Sequence, residues 1–288
     1  MDQFIFRMCL TGKVVVVTGA SRGIGKGIAL ALGSQGATVY VTGRTVATGD
    51  DSSSGTVHGT ARAIKAVGGV GIAVAFDHAD DDQVKALFEQ IASEQGHVDI
   101  LVNNATTLVP DVLKPPPFWT KSLGLADQIV VGLRSAYVST YYAVPLLLKS
   151  QKALVVNISY YGAVSYHLDP AYGATKAGLD KMTWDMAQDF KAYNVAVVSI
   201  WPGSTATERS VSILSQTPGG EERIKSLETP QFTGRVIEAL YGDPKLMMKS
   251  GQVVIGAEAA VEYGFTDING NQPPSLRKKL GSPRPYED

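Results

Sequence analysis

Val14-Val15-Val16-Val17-Thr18-Gly19-Ala20-Ser21-Arg22-Gly23-Ile24-Gly25 runs from four β-branched residues through a glycine turn into an apolar, helix-forming stretch. An unbroken β-branched run reads as a strand buried on both faces, as in a parallel sheet covered by helices. Glycines at 19, 23 and 25 let the backbone turn sharply and come close to a phosphate. The helix that follows offers free N–H groups and a partial positive charge at its start. The spacing G-x-x-x-G-x-G is one residue wider at the front than the common dinucleotide fingerprint. Taken alone, such a loop can be a tight turn that binds nothing. Its position between a strand and a helix favours a pyrophosphate.

Outward from this stretch, strand-like runs recur at residues 14–17, 38–41, 71–76, 100–102, 153–158, 195–200 and 252–255. Helix-like stretches alternate with them at 25–35, 60–67, 81–95, 127–149, 172–193 and 233–241. The pattern predicts an α/β fold of Rossmann type: a doubly wound, seven-stranded parallel sheet in a single domain. Residues 13–268 form that domain, 1–12 an N-terminal extension, and 269–288 a tail rich in Pro, Gly and charge. Three loops stand out, at 44–57, 106–126 and 204–230. The second and third follow strands four and six, where ligands bind in such sheets. Val211, Ile213 and Leu214 read either as packing or as a helical flap.

The 288 residues carry 26 basic and 27 acidic side chains, a net charge of −1, which argues against a general nucleic-acid binder. The longest apolar run, between Arg134 and Lys149, is short and broken by Ser, Thr and Pro, so no membrane span is expected. The single cysteine, Cys9, and the absence of a secretory pattern fit a cytoplasmic protein. His58, His78, His97 and His167 show no metal-ligand spacing, so no metal is expected.

After the second strand comes Val41-Thr42-Gly43-Arg44, without the acid that bonds a ribose 2′-hydroxyl in NAD-binding proteins. Arg44, with Arg22, would instead clamp the 2′-phosphate of NADP; the alternative is two solvated surface charges. Asp77 would accept from the adenine amine or cap the helix after Ala79, with His78 beside it through its backbone.

Tyr172-Gly173-Ala174-Thr175-Lys176 opens a helix, and positions i and i+4 share a face. A phenol near an ammonium and an oxidised nicotinamide has its pKa lowered and becomes a usable acid or base. Ser159, thirteen residues before Tyr172 at a strand end, would bond a substrate carbonyl and hold it under the phenol. Asn103 closes the fourth strand. Gly203, Thr205 and Thr207 follow the sixth, in reach of the nicotinamide amide. Tyr160 and Tyr161 either line a cleft or pack within the loop.

With TGASRGIG, Asn103-Asn104-Ala105, Ser159, Tyr172, Lys176 and Pro202-Gly203 with Thr207, the chain resembles the short-chain dehydrogenase/reductase family from residue 13 to 255. GLRSAY (132–137) and EYGFTDINGN (262–271) are similar to its dehydrogenase/reductase family member 1-like branch. The resemblance implies catalysis by Ser159, Tyr172 and Lys176. It implies cofactor contacts at Gly19, Ser21, Arg22, Gly23, Ile24, Gly25, Arg44, Asp77, His78, Asn103, Tyr172, Lys176, Gly203, Thr205 and Thr207. It further implies a small carbonyl or alcohol substrate and a homodimer or homotetramer. Two positions depart from the family pattern: Thr106 replaces a common glycine, and Gly132 stands at the family's relay asparagine.

Three functions compete: NADPH-dependent carbonyl reduction, a dinucleotide-binding sensor or scaffold without turnover, and an NAD-linked alcohol dehydrogenase. Binding titrations with NADPH and NADH separate the cofactor readings. Arg44→Ala should erode the preference for NADPH by about tenfold, the worth of a charge-assisted bond. An unchanged preference removes Arg44 from the 2′-phosphate.

Overall fold

Four consecutive valines, β1 (Val14–Val17), are buried along their whole length. The computed structural model describes residues 9–46, 55–107, 109–115 and 117–287. Strands β2 (Thr38–Gly43), β3 (Val70–Ala75), β4 (Ile100–Asn103), β5 (Ala153–Ile158), β6 (Val195–Trp201) and β7 (Val253–Ile255) follow. Together they make a parallel sheet in the order β3-β2-β1-β4-β5-β6-β7, flanked by helices. The fold class expected from the sequence is the one observed, with strand ends shifted by one or two residues.

Contacts divide the chain into two compact units. The first comprises Met1–Ala75, Pro202–Leu246 and Ile255–Ser275. In it β1 pairs β2 from Val14↔Thr38, and β2 pairs β3 from Thr38↔Val70. Helices α1 (Gly23–Gly33), α2 (Val57–Ala66), and, later in the chain, Phe232–Gly242 cover these strands. Thr56 caps α2 by accepting from the Gly59 N–H at 2.8 Å, which satisfies one of the free donors of its first turn. Of the loop 44–57, residues 47–54 lie outside the described residues.

The second unit comprises Phe76–Trp201, Met247–Val254 and Leu276–Asp288. Here β4 pairs β5 and β5 pairs β6, and β5 and β6 are buried throughout. Each fully buried Val in them contributes about 1.5–3 kcal/mol. Helix α3 (Asp81–Glu94) is capped by Asp80, which accepts from the Asp82 and Gln83 N–H groups. The single helix expected at 127–149 is in fact a π-helical segment, Ile129–Arg134, running into α4 (Ser135–Leu147). Helix α5 (Pro170–Phe190) begins on Asp169, whose carboxylate accepts from the Ala171 and Tyr172 N–H groups. Pro170 at its first position needs no N–H partner.

The loop at 204–230 holds two helices that the periodicity did not reveal, α6 (Glu208–Leu214) and α7 (Gly220–Lys225). Val211, Ile213 and Leu214 do lie on a helix, and no residue of α6 is buried. Phe232–Gly242, α8, packs on α1 through glycine: a Cβ at Gly234 would stand 2.5 Å from that of Ala31. The tail is not loose. Tyr286 stacks on Trp184 of α5 at 6.5 Å, and Leu276 donates its N–H to the Tyr161 hydroxyl at 3.2 Å. Among the described residues no helix is long and apolar enough to cross a membrane.

At Gly27 of α1 an added Cβ would lie 2.1 Å from the Pro230 backbone, where nothing flexible can yield. Gly27→Ala should therefore destabilise the protein by about 1–3 kcal/mol. A thermal melt that matches the parent shows that α1 and Pro230 are not this close.

Candidate functional site

In the first unit the glycine turn has the form expected of an anion cradle. Gly19 and Gly23 have φ of 64° and 59°, the left-handed region where a side chain is strained. Ser21 is buried, and its carbonyl accepts from the Thr60 hydroxyl at 3.3 Å, which pins the turn to α2. Arg22 is exposed and donates to Thr45 Oγ1 at 3.3 Å, so it reaches the end of β2 that also carries exposed Arg44. Gly25 is buried beneath the turn and Ile24 is half-buried.

The turn already receives a carboxylate. The Gly23 N–H, at the start of α1, donates to Glu208 Oε2 at 2.9 Å. Thr207 lies beside it, with its methyl 3.5 Å from where a Gly23 Cβ would stand. Thr207 itself caps α6 by accepting from the Ser210 N–H at 3.2 Å. The Gly203 N–H donates to Glu228 Oε2 at 2.8 Å, and Thr205 Oγ1 donates to the Gly203 carbonyl at 3.2 Å. Burial pushes the Glu228 carboxyl up to about 7. Glu208 and Glu228 were not singled out in the sequence, because each is one charge in a polar loop and only the folded chain brings it to a glycine N–H.

In the second unit α5 carries the tyrosine and lysine that the sequence singles out, Tyr172 and Lys176. The Tyr172 ring lies against Gly162, where a Cβ would approach its Cε1 to 2.7 Å. The Lys176 Nζ donates to the Ile158 carbonyl at 2.9 Å and sits 5.4 Å from the centre of the Tyr172 ring. Burial lowers the Lys176 pKa to about 8, with Asp180 opposing that shift. Burial also raises Tyr172 well above its ordinary value, aided by Tyr160 and Asp169. From the helical spacing alone, the Lys176 ammonium is expected to pull the phenol down. In the protein alone desolvation dominates, so Tyr172 holds its proton.

Ser159 differs from the expectation too. It is 2% exposed, and its Oγ donates to the Lys176 carbonyl at 3.1 Å. It also helps to lower Asp180, a buried acid that accepts from Ser199 at 2.6 Å and from the Trp201 indole at 3.1 Å. Burial outweighs these bonds and raises Asp180 to about 6. Asn103 Nδ2 donates to Thr140 at 3.0 Å and to Asn157 at 2.9 Å, while its buried Oδ1 has no partner among the described residues. Asp77 Oδ1 accepts from the Ala79 N–H at 3.0 Å, but the helix beyond is capped by Asp80 rather than by Asp77, and buried His78 packs its ring 4.4 Å from that of Phe76.

The loop 106–126 is held by Lys121, a buried lysine that donates to the Leu168 carbonyl at 3.0 Å. Leu168 has φ of 66°, uncommon for a non-glycine residue. A lysine in a Pro-rich loop reads as a solvated charge, so sequence alone does not find it. Pro116 lies outside the described residues. No group of three or more His, Cys, Asp or Glu side chains that could hold a metal occurs among the described residues.

A parallel sheet of this order, with a glycine turn after β1 and a Tyr-x-x-x-Lys helix after β5, defines a class of dinucleotide-dependent oxidoreductases. The chain belongs to the short chain dehydrogenase family, whose sequence profile matches residues 13–218. It is 36% identical over 273 residues to dehydrogenase/reductase SDR family member 1 of Mus musculus, covering 91% of this chain and 85% of that protein. It is 34% identical over 264 residues to hydroxysteroid dehydrogenase-like protein 2 of Homo sapiens, with 90% of this chain but 60% of the relative covered. A Xanthomonas campestris protein classed as a dehydrogenase has a TM-score of 0.76 at 26% identity, over 98% of this chain and 100% of its own. A Shigella flexneri short chain dehydrogenase, solved with NADP, has a TM-score of 0.72 at 24% identity, over 86% and 98%.

Gly132 sits in the π-helical segment, and its missing side chain has a steric reason. A Cβ there would meet Thr175 Cγ2 at 2.7 Å, and Thr175 is fixed by its bond to the Ala171 carbonyl at 2.9 Å. Gly132→Asn should thus cost about 1–3 kcal/mol. Thr175→Ala in the same chain should restore most of it. Equal melting temperatures for Gly132→Asn and the parent refute the steric account.

Proposed function

We propose that this chain is an NADP(H)-dependent oxidoreductase that transfers hydride between NADPH and a ketone or aldehyde, or the corresponding alcohol. The observation that carries the reading is the pairing on α5 of a protonated phenol, Tyr172, with a buried amine, Lys176, 5.4 Å from its ring. The residues present fit the dinucleotide. The glycine turn already accepts a carboxylate oxygen at the Gly23 N–H, and Asn103 keeps a buried acceptor unpaired among the described residues.

In this reading Gly19, Ser21, Arg22, Gly23, Ile24 and Gly25 hold the phosphates, with Glu208 displaced from the Gly23 N–H. Arg22 and Arg44 hold the 2′-phosphate, and Asp77 and His78 border the adenine. Asn103, Gly203, Thr205 and Thr207 serve the nicotinamide end, together with Tyr172 and Lys176. Bound NADPH supplies the hydride. Tyr172 gives its proton to the substrate oxygen, and the Lys176 ammonium stabilises the phenolate that remains. Ser159 braces the helix that carries them.

Below pH 8 Lys176 is an ammonium; above it the amine is neutral and the phenolate loses its nearest positive charge. Carbonyl reduction should therefore decline as pH rises through about 8. Tyr172→Phe should lower kcat by about 10²–10⁴-fold at neutral pH, as loss of a general acid does. Both are read from NADPH absorbance with a carbonyl panel. A flat profile to pH 9.5, or an active phenylalanine variant, defeats the assignment of the proton donor. A second reading, a dinucleotide-binding sensor, is favoured by the crowding of Thr175 against Gly132, which leaves no room for a relay side chain. Tight NADPH binding with no turnover across the panel selects it.

A further inference from the structure

We propose that Tyr160, rather than Ser159, presents the second hydroxyl to the substrate's carbonyl oxygen; the inference rests on the carbonyl-reductase reading above. The backbone is still extended where β5 ends: the Ser159 N–H donates to the Ile200 carbonyl at 2.9 Å, and Tyr160 has φ of −169° and ψ of 166°. Side chains of an extended chain alternate between faces. Asn157 and Ser159 both turn toward α5, Asn157 through a 2.8 Å bond to Thr183 and Ser159 through its bond to the Lys176 carbonyl. The serine hydroxyl is thereby committed inside the protein beside Asp180 and is 2% exposed.

Tyr160 consequently points away from those interior ties, and its ring lies near that of Tyr172. The two rings lie 6.5 Å apart at 66°, and His167 stands 5.0 Å from Tyr160 and 5.8 Å from Tyr172. A negative charge on Tyr160 would repel one on Tyr172, which places the phenols in one electrostatic neighbourhood. Burial lowers the His167 pKa, so the third ring of the cluster is a neutral imidazole at neutral pH. Asp169, which caps α5, and Lys176 are the charged groups facing Tyr172.

A carbonyl oxygen has two lone pairs, and in this proposal each of the two phenols donates to one of them. As the C–H bond forms with the hydride, the C=O π pair moves onto oxygen. Tyr172 would release its proton to that oxygen; bound NADPH would supply the hydride and so be the two-electron reductant. Tyr160 keeps its proton and donates a hydrogen bond throughout, the service of an oxyanion donor. An aromatic floor of Tyr160 and His167 also suits flat carbonyl compounds better than bulky branched ones.

The test compares wild type, Tyr160→Phe and Ser159→Ala in NADPH oxidation with aryl ketones, quinones and aliphatic aldehydes. Melting temperature and NADPH titration accompany each variant. Tyr160→Phe keeps the ring contacts, so it should fold and bind NADPH as wild type does while kcat/KM falls about 10²-fold or more, the loss seen when one oxyanion donor is removed. Ser159→Ala should lose less activity and more melting temperature. Tyr160→His, which retains a ring and a donor, should recover part of the loss and serves if the phenylalanine variant is unstable. A larger catalytic loss at Ser159 than at Tyr160, with the fold intact, overturns the proposal and leaves the enzyme reading standing. A wild type that binds NADPH but reduces none of the panel defeats the reductase reading itself, and this inference with it.

Discussion

Helix α5 is held against β5 and β6 by buried polar ties, and the placement of Tyr172 and Lys176 depends on that registration. Lys176 bonds the Ile158 carbonyl, Ser159 bonds the Lys176 carbonyl, Asn157 bonds Thr183, and Ser199 and Trp201 converge on Asp180. A buried amine or carboxylate that lost its partners would cost several kcal/mol, so the helix cannot slide by a residue along these strands without leaving such groups unmet. The same ties set how far each group departs from its behaviour in water. Desolvation lowers Lys176, raises Asp180 and raises Tyr172; the Asp180 charge opposes the first shift, and the hydrogen bonds to Asp180 oppose the second.

The first unit relies on a different constraint, the absence of side chains. Gly19 and Gly23 adopt left-handed backbone angles, Gly27 admits the Pro230 backbone, and Gly203 makes room for Glu228. Two carboxylates exploit the N–H groups so exposed: Glu208 at Gly23 and Glu228 at Gly203. An acid seated on the turn satisfies a free helix donor in the absence of any other anion. A dinucleotide held there, as proposed, would compete with Glu208 for that N–H.

Ser159 and Gly132 mark where a pattern and its geometry part company. A hydroxyl thirteen residues before a tyrosine satisfies the spacing, yet spacing carries no information about which face of an extended chain the residue occupies. Its side chain belongs with Asn157 among the interior ties, while the ring of the neighbouring Tyr160 lies 6.5 Å from that of Tyr172. Gly132 reads as a missing relay group. In the fold it is the residue that lets the π-helical segment pass Thr175, a steric fact with no trace in residue order.

Residue order by itself determined the alternation of strand and helix, because a β-branched run such as Val14–Val17 has few stable fates other than a buried strand. It also determined the glycine turn and the one-face pairing of Tyr172 with Lys176, which follow from local backbone geometry and helical period. Helices α6 and α7 escaped it because neither has a buried face to impose a period. The tertiary structure alone decided the direction of the pKa shifts, the inward turn of Ser159 and the burial of Lys121 and Asp180. Each of those depends on what lies across space from a side chain, and desolvation is a property of the folded surroundings rather than of the residue.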